Sequence, residues 1–548
     1  MAMTDIKTKI ANLFPAPEDV PADAEVMPGG KPYLGGLDYL VDGQVKRWSG
    51  ASTDVLSPVC VRQGGKTRRK VIGPCAMLTK EEALAALSAA VRAWDKGCGP
   101  WPRMKIQERL RRLELFAARM AAQREPCVRL LMWEIGKSRA DSEKEFDRTI
   151  EYLHDTVRSV KNGDRNASRF LAHSGILAQI RRAPLGVVLS LGPFNYPLNE
   201  SFATLIPALI MGNPVVAKGP RFGMLCMAPL LPAFAECFPP GVVNILNGDG
   251  AVVAGSIVET GAIAALAFIG STKVANILKK QHPRPNRMRC VLGMGAKNPG
   301  IILKDADLDL TVAQCVTGAL SFNGQRCTAL KLIFVHRSLA DRFVEKLSAE
   351  VDKLPFGMPW EKGVQLTPLP EPGKAEFLKG WVDEACKKGA SIANTYGGLA
   401  NETFYFPAVV YPTPKGTALY EQEQFGPLVP VTPFDDVQEI EDWIVASDFG
   451  QQASIFGQDP RVVGPLIDVL ANQICRINLN AQCQRGPDVY PFTGRKDSAE
   501  STLSVSDALR CFSVRSMVAV PENPANKELL HGIMLERTSN FLNTDYIF

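Results

Sequence analysis

The chain has 548 residues, 46% hydrophobic and 22% charged, with 62 Lys and Arg against 57 Asp and Glu and a net charge of +5. That length needs two or three domains, and the well-mixed charge offers no basic tract for nucleic acid or a membrane surface. Thirteen irregularly spaced cysteines without a CxxC pair, and only five histidines, exclude a legible metal site and read as reduced thiols of a cytoplasmic compartment. No signal peptide is expected in residues 1–15, and no apolar run approaches the ~20 residues of a membrane span. The closest run, residues 203–217, is broken by Pro207, Gly212, Asn213 and Pro214.

Residues 1–50, rich in Pro, Gly and Asp, predict an extended lead-in with one short strand or helix. From Thr79 to Trp94 the spacing of Leu84, Leu87, Ala90 and Val91 predicts a helix, opened by the capping sequence Thr79-Lys80-Glu81-Glu82. Three more helices follow over 105–122, 125–136 and 139–160, and the stretch 161–174 reads as polar and turn-rich. Residues 176–184 alternate as a strand, with Ile176, Ala178 and Ile180 on one face. Short apolar strands at 187–191, 215–217, 242–246 and 265–269 alternate with helical segments. That pattern predicts a parallel sheet covered on both faces, with ligands beyond the carboxyl ends of its strands. A second α/β region spans about 299–497, including strands at 332–335 and 453–456. A last strand is expected at 512–520, followed by a polar tail with a helical patch near 527–535 and an apolar ending, Tyr546-Ile547-Phe548.

Four segments carry chemistry. Pro193-Phe194-Asn195-Tyr196-Pro197 follows a strand, and Asn195 can donate an amide N–H to an oxyanion or simply shape a turn. Lys218-Gly219-Pro220-Arg221 closes the next strand with two cations. Arg221 in the place where an acid would hold a ribose 2′-hydroxyl favours a 2′-phosphate and hence NADP. Gly270-Ser271-Thr272 links a strand to a helix and offers backbone N–H groups to a phosphate, or is a plain N-cap turn. Ser321-Phe322-Asn323-Gly324-Gln325-Arg326-Cys327-Thr328 has the character of a nucleophile's turn. Gly324 permits close backbone approach, and the charge of Arg326 is expected to favour the Cys327 thiolate, which can attack an aldehyde carbon.

In this order, Phe194-Asn195-Tyr196-Pro197, Lys218, Phe268-Ile269-Gly270-Ser271-Thr272, Gly324-Gln325-Arg326-Cys327 and Glu423-Gln424-Phe425-Gly426-Pro427 resemble the aldehyde dehydrogenase superfamily over about residues 75–520. The resemblance implies an α/β protein with a Rossmann-like NADP-binding domain (51–160 and 184–303) and an α/β catalytic domain (304–507). It also implies a small oligomerisation β-flap (161–183 and 508–520), flanked by an N-terminal extension (1–50) and a C-terminal tail (521–548). Homodimers or homotetramers are expected. Cys327 would be the nucleophile, with Asn195 and the Cys327 N–H as the oxyanion hole. Glu423 would hold the nicotinamide ribose beside Phe425, Lys218 and Arg221 the adenosine end, and Gly270 and Ser271 the pyrophosphate. The closer resemblance is to the NADP-dependent non-phosphorylating glyceraldehyde-3-phosphate dehydrogenases. There Arg148, Tyr196, Arg326 and Arg485 would receive the substrate phosphate, a task suited to guanidinium forks.

One position departs from the pattern. The superfamily's Glu-Leu-Gly-Gly-Lys segment, which carries a general-base glutamate, corresponds here to Gly293-Met294-Gly295-Ala296-Lys297, and no carboxylate lies between Glu259 and Asp305. Base-assisted hydrolysis of a thioester is typically worth roughly 10²–10⁴-fold. Three expectations stand open: a substitute base in a hydrolytic enzyme, transfer of the acyl group of a phosphorylated or acidic aldehyde to coenzyme A or phosphate, or a nucleotide-binding protein without catalysis.

Overall fold

The computed structural model describes residues 3–545; the apolar ending 546–548 lies outside the described residues. Five short, largely buried apolar segments form the parallel centre of an eight-stranded sheet, in the spatial order Val243–Leu246, Val215–Lys218, Val188–Leu191, Ala265–Ile269, Arg289–Gly293. The chain reverses its direction of travel across the sheet at Val188–Leu191, which pairs with Val215–Lys218 on one side and Ala265–Ile269 on the other. Such a reversal opens a crevice beyond the carboxyl ends of the two flanking strands. A seven-stranded sheet forms the second α/β unit, ordered Ser391–Ile392, Ala408–Tyr411, Leu428–Phe434, Leu330–His336, Asn298–Ile302, Gln452–Phe456, Arg476–Leu479. A third sheet pairs Ser513–Pro521 with Ile176–Pro184 along nine residues, and Leu171–His173 completes it.

The region read as an extended lead-in is more structured than its composition implies. It holds a helix, Met3–Ala11, and two strands, Asp38–Val41 and Gln44–Arg47, that extend the eight-stranded sheet. Leu40 pairs with Ile245 and is fully buried, and the Asp42 N–H donates to Asn244 Oδ1 at 3.0 Å. Those partners lie some 200 residues away, beyond the reach of a local pattern. A long hairpin, Ser52–Gln63 with Lys66–Ala76, turns at Gly64 and Gly65, both at positive φ as a two-residue turn between twisted strands requires.

The first predicted helix is Lys80–Trp94. Thr79 Oγ1 accepts from the Glu81 N–H and Glu82 accepts from the Thr79 N–H, closing the capping box. Its buried face is Ala83, Ala86, Leu87, Ala89 and Ala90, while Val91 is 40% exposed. Of the four residues whose spacing predicts the helix, Leu87 and Ala90 are buried, Leu84 is half-buried and Val91 lies outside the buried face. Alanines let the helix backbone approach closely: a Cβ on Gly241 would lie 2.4 Å from the Ala89 carbonyl. The helices Ile106–Ala121 and Arg124–Ile135 follow the expected spans within two residues. The next, Arg139–Ala167, runs well past residue 160 into the stretch read as turns. Asp164 in that added length is paired with Arg181 at 2.7 Å, a contact between helix and flap that anchors the last turns.

The flap strand forms where expected, with Ala178 buried on the predicted face, but Ile176 on that face is 40% exposed while Gln179 and Arg181 on the other face are buried. The tail covers them: Gln179 Nε2 and Arg181 Nη2 donate to the Asn543 carbonyl at 2.6 and 2.9 Å. After its helix, Pro524–Glu536, the tail thus packs on its own chain's flap.

Candidate active site

Cys327 lies three residues before the strand Leu330–His336 and opens on a cavity of about 1160 Å³ at the junction of the two large sheets. Phe322, Asn323 and Gly324 before it all take positive φ. Gly324 is obligatory there: a Cβ would lie 2.6 Å from the Gly426 carbonyl and 2.8 Å from that of Ala319. This tight turn presents the thiol just beyond the buried C-terminal end of the helix Leu308–Leu320.

Asn195 lies in the loop after Val188–Leu191, at the crevice. Its Nδ2 donates to the Gln325 carbonyl at 2.9 Å, which fixes the amide against the turn that carries Cys327. The second amide hydrogen remains for an oxyanion, since a carboxamide carries two. The loop is clamped from behind by Lys137 and Glu145, an ion pair whose side chains are wholly buried. Lys137 Nζ donates to the Asn195 carbonyl at 2.8 Å, and Glu145 Oε1 accepts the Leu198 and Asn199 N–H groups at 3.0 and 3.2 Å. Tyr196 stands over the same ammonium, with Lys137 Nζ 3.7 Å from its ring centroid.

The electrostatics of the thiol correct one expectation. Burial pushes the Cys327 thiol above its ordinary value, and the negative charge of Glu200 adds to the rise; Lys331 and Arg485 oppose it. Arg326 is not among the largest of these influences. Its guanidinium turns back to donate to the Thr317 and Gly318 carbonyls at 3.3 and 2.9 Å. Sequence adjacency therefore did not make Arg326 a leading charge on the sulfur, because its Nη2 is drawn to carbonyls at the end of the preceding helix.

Arg148 and Arg485, 337 positions apart in the chain, meet on one carboxylate. Arg148 grips Asp488 through Nε and Nη2 at 2.8 and 2.6 Å, and Arg485 Nε donates to Asp488 at 3.1 Å. Arg485 also pairs with Glu200, whose side chain is 8% exposed. Arg148, Tyr196, Arg326 and Arg485 all line the cavity of Cys327.

The other arm of the cavity has the donor set for a dinucleotide. Ser271 caps the helix Thr272–Gln281, leaving its first-turn N–H groups for an anion, and the Gly270 N–H is tied to the Gly293 carbonyl at 2.9 Å. Lys218 ends the strand Val215–Lys218, its ammonium on the Gly219 carbonyl at 2.8 Å, and burial lowers its pKa. Arg221 is exposed beside it, 5.3 Å over the Phe222 ring. On the opposite wall, Glu423 accepts from the Ala296 N–H at 3.2 Å and from Lys331 at 2.5 Å, with Phe425 adjoining. Cations at one end and a carboxylate at the other fit a phosphate-bearing dinucleotide with free ribose hydroxyls.

Four side chains escape reading by motif: Lys137, Glu145, Glu200 and Lys331. Each lies within a few residues of a segment that was read, but its role depends on a partner far along the chain. Gly293 lines the cavity too, and nothing fills its place: a Cβ there would make ordinary contacts, 3.5 and 3.6 Å to Ile269 and 3.6 Å to Leu503.

The aldehyde dehydrogenase family model matches residues 63–518. An NADP-dependent glyceraldehyde-3-phosphate dehydrogenase from Streptococcus equinus is 33% identical over 460 residues, covering 82% of this chain and 92% of that one. The enzyme of that name from Arabidopsis thaliana is 31% identical, covering 86% and 92%. A solved structure of an NADP-dependent glyceraldehyde-3-phosphate dehydrogenase from Bacillus halodurans, complexed with NADP, superposes with a TM-score of 0.79 at 28% identity over 89% of this chain and 99% of that one. With most of its length matched in sequence and the same architecture in a solved relative, the chain belongs to the aldehyde dehydrogenase family.

Proposed function

We propose that the protein oxidises glyceraldehyde 3-phosphate to 3-phosphoglycerate with NADP⁺ and without inorganic phosphate. The observation that carries this reading is the lining of a single cavity by the Cys327 thiol, the Asn195 amide and the guanidinium pair Arg148 and Arg485. NADP⁺, when bound, supplies the oxidant. Cys327 attacks the aldehyde carbon, and Asn195 with the Cys327 N–H receives the developing oxyanion. Arg148 and Arg485, with Arg326 and Tyr196 on the cavity wall, receive the substrate phosphate. For the two pre-paired arginines this means exchanging or sharing their carboxylate partners. Lys218 and Arg221 hold the adenosine end of NADP⁺, Gly270 and Ser271 its pyrophosphate, and Glu423 and Phe425 its nicotinamide end. The relatives named for this activity support the assignment.

A second reading follows from Gly293. Without a carboxylate at that position, the Cys327 thioester would pass to coenzyme A or phosphate instead of water. One experiment separates the two: glyceraldehyde 3-phosphate and NADP⁺ with and without each acceptor, followed by product analysis. NADPH with free 3-phosphoglycerate and no acceptor dependence is expected. Acceptor-dependent turnover would favour the second reading, and an absence of NADPH under every condition would remove both.

Assembly is proposed through the flap. Among the described residues the strand Ser513–Pro521 pairs on one side only, and it exposes Val514 at 44% and Met517 at 62%. An apolar open edge favours pairing with a second copy, giving a homodimer or homotetramer. Thirteen unpaired cysteines favour a reducing, cytoplasmic setting. No helix among the described residues is long and apolar enough to cross a membrane.

A further inference from the structure

We propose that Glu200 is the general base for release of the product, replacing the carboxylate missing at Gly293; this rests on the hydrolytic reading above. Glu200 lies in the first turn of the helix Asn199–Ile210, directly after the oxyanion loop, and its N–H donates to the Tyr196 carbonyl at 3.1 Å. One short segment therefore positions both Asn195 and Glu200 at the wall of the Cys327 cavity.

Among the carboxylates lining the cavity, Glu200 bears most strongly on the Cys327 sulfur, ahead of Glu423. Glu423 is engaged by Lys331 and the Ala296 N–H on the cofactor wall. Among the described residues, the Glu200 carboxylate is paired with Arg485 alone. Arg485 does not need Glu200 to hold it, because Asp488 and the Leu503 carbonyl accept from it at 3.1 and 3.2 Å. A second carboxylate there opposes formation of the thiolate. That placement is unfavourable for the attack on aldehyde and becomes useful only in a later step.

The step balances as follows. A water oxygen attacks the thioester carbonyl carbon while a Glu200 carboxylate oxygen takes one water proton. The tetrahedral adduct collapses with cleavage of the C–S bond, leaving the carboxylic acid and the Cys327 thiolate. The protons on Glu200 and on the acid pass to solvent. Asp488 keeps Arg485 paired while Glu200 is protonated.

The test compares wild type, Glu200→Gln and Glu200→Gln/Gly293→Glu by rapid mixing with NADP⁺ and glyceraldehyde 3-phosphate. Wild type sets the reference: if it forms no NADPH, the proposed function fails, and this inference falls with it. Given wild-type turnover, Glu200→Gln is expected to give a stoichiometric NADPH burst followed by steady-state turnover lower by about 10²–10⁴-fold. Intact-protein mass should then reveal an acyl adduct on Cys327. Gly293→Glu in the same chain should restore turnover and remove the adduct, since Gly293 has room for a side chain. Steady-state turnover of Glu200→Gln within about threefold of wild type would overturn the assignment. So would loss of burst and turnover together without recovery in the double variant, which would assign Glu200 to packing.

Discussion

The Lys331 ammonium donates to the Glu423 carboxylate at 2.5 Å while also donating to the Cys327 carbonyl at 2.9 Å. One buried cation thus ties the nucleophile's turn to the wall proposed to hold the cofactor. Lys331→Met should leave Glu423 without its counter-charge. The expected cost is roughly 3 kcal/mol, the low end for breaking a buried pair because Glu423 is 20% exposed. Chemical denaturation measures it, and an unchanged midpoint would contradict the tie.

The thiol itself gives a pH test. Burial and Glu200 push Cys327 above the ordinary thiol value, so alkylation by iodoacetamide should still be rising with pH above that value. Arg326→Gln should move the profile less than a change at Lys331, since Arg326 Nη2 is held by the Thr317 and Gly318 carbonyls whereas Lys331 acts directly on the sulfur. Lys331→Met should move it upward. A profile set by Arg326 would contradict the geometry.

Two glycines beside the cavity should behave oppositely. Gly324→Ala forces a Cβ to 2.6 Å from a carbonyl at φ +69 and should cost about 1–3 kcal/mol, with loss of turnover. Gly293→Ala meets only ordinary contacts and should change stability by less than about 1 kcal/mol. Thermal unfolding and assays of both variants check the contrast.

Asp488 carries the acid dependence of the arginine pair. Arg148 and Arg485 hold its carboxyl below the ordinary 3.8 against the opposing effect of burial. A depressed folded value means that the stabilisation is present above the unfolded value and is lost as pH falls through the folded one. Asp488→Asn should therefore lower stability at neutral pH and flatten its decline below pH 3.8. Denaturation midpoints across that range would show the two curves converging.

The cofactor preference rests on Arg221, exposed at the end of Val215–Lys218. Arg221→Glu should weaken NADP⁺ binding by about tenfold or more through loss of a charge-assisted contact, with NAD⁺ little changed. Fluorescence titration of both nucleotides measures it; an unaltered ratio would remove Arg221 from the site.

Much of this was legible before any coordinates. Strands such as Val188–Leu191 and Ala265–Ile269 are short apolar runs bounded by turn residues, and their alternation with helices fixes a parallel sheet with its crevice. Thr79 and its two glutamates mark a helix start from local hydrogen bonding alone. The absence of a carboxylate at Gly293 is also a fact of sequence.

What only the tertiary structure decided are relationships between distant segments. The helix Lys80–Trp94 buries alanines beside Leu87, and Ala89 lies close against the backbone at Gly241, a neighbour some 150 residues away that no local spacing announces. Arg326 is next to Cys327 in the chain yet bonds back to the preceding helix, while Glu200, Lys331 and Arg485 weigh most on the sulfur. Local propensity acts over a few residues, and motifs inherit that range. Electrostatic fields and hydrogen-bond partners act through space, so the surroundings of the thiol, and the carboxylate proposed to release its product, are settled only when the chain closes on itself.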